Sequence, residues 1–224
     1  MKRTAAALLA ALAACAGLAP LDPESARALA ALPVPEGPFV RAKVRLEFES
    51  PAFSGRFEGV VLARPGPEPA VRAQFFPDVG GTAVDLAARP DRIAGRFPAT
   101  GEAILMNLPG EARPHPLALL GATLLERFAP ATAERARGVR RENGETWVAL
   151  EGAARGVRVE VLLPGGDRRR FSWMPGVRWE ERSTPGRSIE IEAPRLRARG
   201  EVLEIDRRRA VPEGVFDWTP GGRP

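Results

Sequence analysis

From Val40 to Glu49, just after Phe39, apolar and charged residues alternate without a break: Val40, Ala42, Val44, Leu46 and Phe48 against Arg41, Lys43, Arg45, Glu47 and Glu49. A strand turns successive side chains to opposite faces, so this stretch predicts a strand with one buried face and one wet face. Such strands belong to antiparallel sheets. The pattern recurs in short runs, including 55–64, 70–76, 91–97, 145–151 and 155–163. Pro65-Gly66-Pro67, Asn143-Gly144 and Pro164-Gly165-Gly166-Asp167 fall between runs and predict turns. Gly59, inside the second run, suggests a bend or bulge. The expected fold is mainly β: a curved antiparallel meander of about eleven or twelve strands.

One stretch has a different period. Leu117, Leu119, Leu120, Leu124, Leu125 and Phe128 recur at helical spacing, with Glu126 and Arg127 expected on the opposite, wet side. Pro114-His115-Pro116 opens the run and Pro130 closes it, predicting a helix near 116–129 that covers part of the sheet. A shorter helix is expected after Asp22. That residue can cap it, Pro23 suits its first position, and Leu29 and Leu32 would rest on the domain.

The start of the chain reads as an export signal. Lys2 and Arg3 precede an apolar run from Ala5 to Ala14, and Leu12-Ala13-Ala14-Cys15 looks like a bacterial lipobox. Cys15 is the single cysteine, so no disulfide within the chain is expected. In lipoproteins with this pattern the signal is cut before the cysteine, whose thiol carries lipid. Ala16 in place of aspartate would, by the same resemblance, favour the outer membrane. The other reading is an ordinary signal cut near Ala19, with Cys15 incidental. The expected division is a leader at 1–14, a lipidated tether with a short helix at 15–38, and one domain at 39–220.

The net charge is +5, nearly all the cations being arginine. Export removes nucleic acid as a partner and leaves anionic lipid or an acidic protein. The clusters Arg140-Arg141, Arg168-Arg169-Arg170 and Arg207-Arg208-Arg209 read as charged strand edges that discourage aggregation, or as a basic rim for anionic lipid. His115 is the one histidine, so no His/Cys metal site is expected. No phosphate-binding loop, nucleophile elbow or dinucleotide fingerprint is present, and Asp78, Asp85 and Asp91 are scattered. No catalytic residue, metal or cofactor is expected.

A lipobox, a curved meander, a leucine-rich helix inserted in the middle of it and a terminal Val215-Phe216-Asp217-Trp218-Thr219-Pro220 element together resemble the LolA/LolB superfamily of lipoprotein carriers and receptors. The resemblance implies an unclosed β-barrel, helices across its open side, and an apolar cavity between them that takes lipoprotein acyl chains. The lipobox is more like the membrane-anchored receptor than the soluble carrier. The absence of tyrosine and the many arginines depart from better-known members. The expected cavity residues are Phe48, Phe57, Phe75, Phe97, Leu120 and Leu124; the alternative is that they fill a dry core. The expected role is an outer-membrane lipoprotein, on the periplasmic face, that binds a lipid or a lipidated protein. The runner-up is a non-catalytic assembly or scaffold lipoprotein that binds an envelope protein.

Overall fold

The computed structural model describes residues 17–34, 37–51, 54–78, 81–98, 100–109, 115–173, 177–184, 188–194, 196–208, 210–212 and 214–217. Cys15, the leader, Pro114, Arg209 and Trp218–Pro220 lie outside the described residues.

The alternation forms strand β1 (Phe39–Glu49), followed by β2 (Ser54–Arg64), β3 (Ala70–Pro77), β4 (Val84–Arg89), β5 (Arg92–Phe97) and β6 (Glu102–Asn107). After helix α2 (Pro116–Phe128) come β7 (Ala136–Glu142), β8 (Glu145–Glu151), β9 (Val157–Leu163), β10 (Arg168–Trp173), β11 (Val177–Thr184), β12 (Ser188–Ala193) and β13 (Leu196–Arg208). Helix α1 (Pro23–Ala30) precedes them all. The thirteen described strands form one antiparallel sheet in the order β6-β5-β4-β3-β2-β1-β13-β12-β11-β10-β9-β8-β7. This is a meander with one join: the first strand pairs with the last, so β1 and β13 become the centre and β6 and β7 the free edges.

The sheet curves until its two wings meet at one rim. The Arg155 N–H, in the β8–β9 turn, donates to the Pro90 carbonyl between β4 and β5 at 2.7 Å. The barrel remains unclosed, because β6 and β7 do not pair.

Gly59 is not at a bulge. The β1–β2 and β2–β3 registers run straight through it, with Phe75 opposite. A Cβ there would sit 2.4 Å from the Phe75 ring, so the glycine clears the space into which that ring lies. The irregularity in β1 pairing falls instead between Lys43 and Val44, opposite Leu203. Asn143 and Gly144 take positive φ of 52° and 78°, the geometry of the tight hairpin expected from that dipeptide.

The core fills the concave side. Phe48 meets Phe57 and Phe75 edge-on at 5.9 and 5.6 Å, and Phe171 stacks on Trp179 at 5.0 Å. Helix α2 packs against β3, β4 and β5, and α1 against β8 and β9. The outer face carries ion pairs between neighbouring strands, such as Arg45–Glu58, Lys43–Glu204 and Arg199–Glu190. Exposed pairs of this kind add little stability each. No described helix is long and apolar enough to cross a membrane.

The segment after Gly17 is bound to the domain. Ala19 pairs with Val139 at the free edge of β7 through two hydrogen bonds of 2.7 Å. Gly138 permits this. Its φ is 150°, and a Cβ would lie 2.6 Å from the Ala19 carbonyl oxygen. Asp22 caps α1 as expected, accepting from the Ser25 N–H at 2.8 Å, and Leu29 is buried.

Candidate functional site

The central strands lie between the regions that α1 and α2 cover. Here the concave face forms a narrow cleft. Val44 and Leu46 of β1, Phe75 of β3, Ile189 and Ile191 of β12, and Ala198 and Val202 of β13 line the sheet side. Leu120, Thr123, Leu124 and Arg127 of α2 line the other. The cleft volume is about 40 Å³. One water's share of liquid volume is about 30 Å³, and ligand pockets run to ~300–1,000 Å³. In this conformation the cleft is almost shut.

The cleft opens toward an apolar lip. Among the described residues, pairing with β12 ends at Glu201, and β13 continues alongside β1 alone. Ile205 pairs with buried Ala42 and so shares the concave side, yet it is 57% exposed. Leu203, at the irregularity, is 43% exposed.

The expected cavity residues separate into groups. Phe75, Leu120 and Leu124 line the cleft. Phe48 and Phe57 pack behind Phe75. Phe97 lies elsewhere, its ring 5.8 Å from that of His115 at the start of α2.

Polar groups fasten α2, and most were not legible in advance. Glu126, expected on a wet face, is 3% exposed. The reason is a long-range partner. Both its oxygens accept from Arg135 Nη2, at 2.8 and 2.7 Å, and Oε2 accepts the Ala153 N–H at 2.9 Å. Arg169 donates to the Glu126 carbonyl at 3.2 Å, satisfying one of the helix's terminal acceptors. Arg127 Nη1 donates to Glu181 Oε1 on β11, and Trp179 Nε1 donates to Thr123 Oγ1 at 3.0 Å. Glu181 is fully buried, and its Oε2 has no partner among the described residues. It shares the core-facing parity of Val177 and Trp179, and an acid at that parity was the available signal. Asp85 is likewise buried and is held by Arg72 at 2.7 Å.

His115 is the N-cap of α2. Its Nδ1 accepts the Leu117 N–H at 3.2 Å, so the ring must be neutral to serve. Burial pushes its pKa below the ordinary 6.5, opposed by Glu102, whose Oε1 is 3.5 Å from Nε2. Among the described residues, no group of three or more His, Cys, Asp or Glu is placed to hold a metal ion.

No family model matches the chain, and no curated protein matches it in sequence. Solved structures do. A domain from Vibrio parahaemolyticus described as an outer membrane lipoprotein-sorting protein matches with a TM-score of 0.56 at 10% identity, over 87% of this chain and 94% of that one. A LolA superfamily protein from Nitrosomonas europaea matches with a TM-score of 0.51 at 12% identity, over 85% and 94%. A DUF1329 family protein from Desulfovibrio piger matches at 0.52 and 7% identity, over 80% and 90%. The chain therefore has the LolA-like fold: an unclosed, curved antiparallel sheet with helices on its concave side.

Proposed function

We propose that this chain is a lipid-anchored envelope protein of the outer membrane, and that the cleft between α2 and the central strands receives a lipid or the acyl chains of a lipidated protein. The observation that carries this is the apolar lip. Val44 and Val202 at the cleft mouth lead onto Leu203 and Ile205, which stay exposed on a strand that outruns its neighbour. An apolar surface left uncovered beside an apolar cleft suits an occupant of the same chemistry.

Uptake requires the cleft to widen, and the attachment of α2 indicates how. It packs on β3–β5, with Leu117 beside Gly95 and Gly121 beside Ile93. Toward β11 two polar bridges run beside the cleft, Arg127–Glu181 and Trp179–Thr123. Parting these bridges swings the helix from β12 and β13 while its packing on β4 and β5 holds. The role is binding rather than catalysis: the buried carboxylates of the concave side serve to fasten the helix.

The test is binding of a fluorescent fatty-acyl probe by the purified protein, with native mass spectrometry for co-purified lipid. Saturable probe binding that Leu203→Asp/Ile205→Asp weakens supports the reading. No probe binding and no co-purified lipid would overturn it, leaving the assembly-factor alternative.

A further inference from the structure

A concavity much larger than the cleft lies on the outside of the sheet, opposite it. A groove of about 1,120 Å³ runs across the outer faces of β7–β11. Register decides which side chains it presents. Glu151, Arg158, Ser172 and Arg178 form one row across β8, β9, β10 and β11. Ala149, Glu160, Arg170 and Glu180 form the next.

The charges in the groove do not cancel. Each of its glutamates is matched by an arginine: Glu151 by Arg137, Glu160 by Arg140, Glu142 by Arg170 and Glu180 by Arg182. Arg158 and Arg178 form no ion pair with any described residue. They flank Ser172 on one face, two strand spacings or about 10 Å apart, with the serine hydroxyl between them. Two free guanidiniums around a hydroxyl suit phosphate oxygens, which arginine grips in bidentate fashion.

The N-terminal segment meets this groove. Leu18 lines it, and Ala19 is hydrogen-bonded to the β7 edge beside it. Cys15 is four residues upstream, so covalent geometry keeps it within about 14 Å of Ala19 whatever path the chain takes. A lipid on Cys15 would hold this face close to the bilayer.

We propose that the outer groove, centred on Arg158, Ser172 and Arg178, binds the phosphate groups of anionic lipids in the membrane that holds the chain. Membrane proximity rests on the Cys15 reading; the phosphate site rests on the groove alone. The lipid anchor and the groove then act together, since one acyl attachment gains from a second, electrostatic one.

The test uses the full-length chain carrying Cys15→Ser, so that no acyl anchor contributes. Flotation is measured with phosphatidylcholine vesicles, with and without phosphatidylglycerol; any binding by the leader is common to all samples. Binding should depend on phosphatidylglycerol. Arg158→Gln/Arg178→Gln should weaken that component by roughly 30-fold, about fivefold per arginine. Arg56→Gln/Arg92→Gln, an equal charge loss on β2 and β5, should leave it nearly unchanged. Equal losses in both double variants, or no dependence on phosphatidylglycerol, would overturn the proposal. So would displacement by dilute inorganic phosphate, which marks a free-phosphate site, or a groove-dependent affinity for polyglutamate that exceeds that for vesicles. Any vesicle binding through the cleft or its apolar lip is common to both double variants, and the acyl probe reads the cleft separately.

Discussion

Arg127, in the last turn of α2, donates from Nη1 to Oε1 of Glu181 on β11 at 2.5 Å, and the carboxylate is wholly buried. The residues are 54 apart in sequence. Removing one partner of a buried pair strands the other charge, at about 3–5 kcal/mol, whereas removing both is often nearly neutral. Arg127→Met should therefore destabilise by about 3 kcal/mol in urea unfolding, and Arg127→Met/Glu181→Met should recover most of it. If the pair holds shut a cleft that must open, the double variant should also take up acyl probe faster than wild type. Unchanged uptake in a well-folded double variant would count against the opening route proposed above.

Neighbouring leucines on α2 separate cleft from core. Leu124 lines the cleft and is 8% exposed; Leu125 is fully buried and does not line it. Leu125→Ala should cost stability at the upper part of the usual range, about 2–5 kcal/mol, and leave probe affinity alone. Leu124→Ala adjoins space that already exists, so it should cost less and raise probe affinity by enlarging the cleft. Equal costs with no change in probe binding would make both residues ordinary core.

His115 gives stability a defined pH dependence. Its pKa is lowered in the folded state, so the unfolded chain binds the proton first. The contribution is complete above the ordinary value of 6.5 and is lost as pH falls from there through the folded value. Protonation also removes the Nδ1 acceptor that caps the Leu117 N–H. Asparagine caps without titrating, so His115→Asn should keep most stability at neutral pH and flatten this part of the profile. A slope of the same size in the variant would assign it to other groups.

The anchor has a simple check. A serine at position 15 cannot form the thioether, so Cys15→Ser should yield a chain that keeps its leader or is released from membranes, read by intact mass and fractionation. Maturation of the variant to the same mass as wild type, still in the membrane fraction, would point to cleavage near Ala19.

The alternation at Val40–Glu49, the turn at Asn143-Gly144 and the Asp22 and His115–Pro116 helix starts were legible because they rest on forces within a few residues. Parity of side chains, positive φ at a hairpin and capping of N–H groups need no distant partner. They determined a curved antiparallel sheet with one internal helix and one short leading one. Tertiary structure decided the rest. Glu126 lies on the helix side expected to be wet, but Arg135 and Ala153 arrive from beyond the helix and make burial favourable. Gly59 read as a bend because the ring that needs its space, Phe75, belongs to the next strand. The separation of Phe97 from the cleft, the joining of β1 to β13, and the docking of Ala19 on β7 all follow from how far the sheet curls before its wings meet. That curl sums small twists over thirteen strands and the side chains packed between them, and no local stretch of sequence carries it.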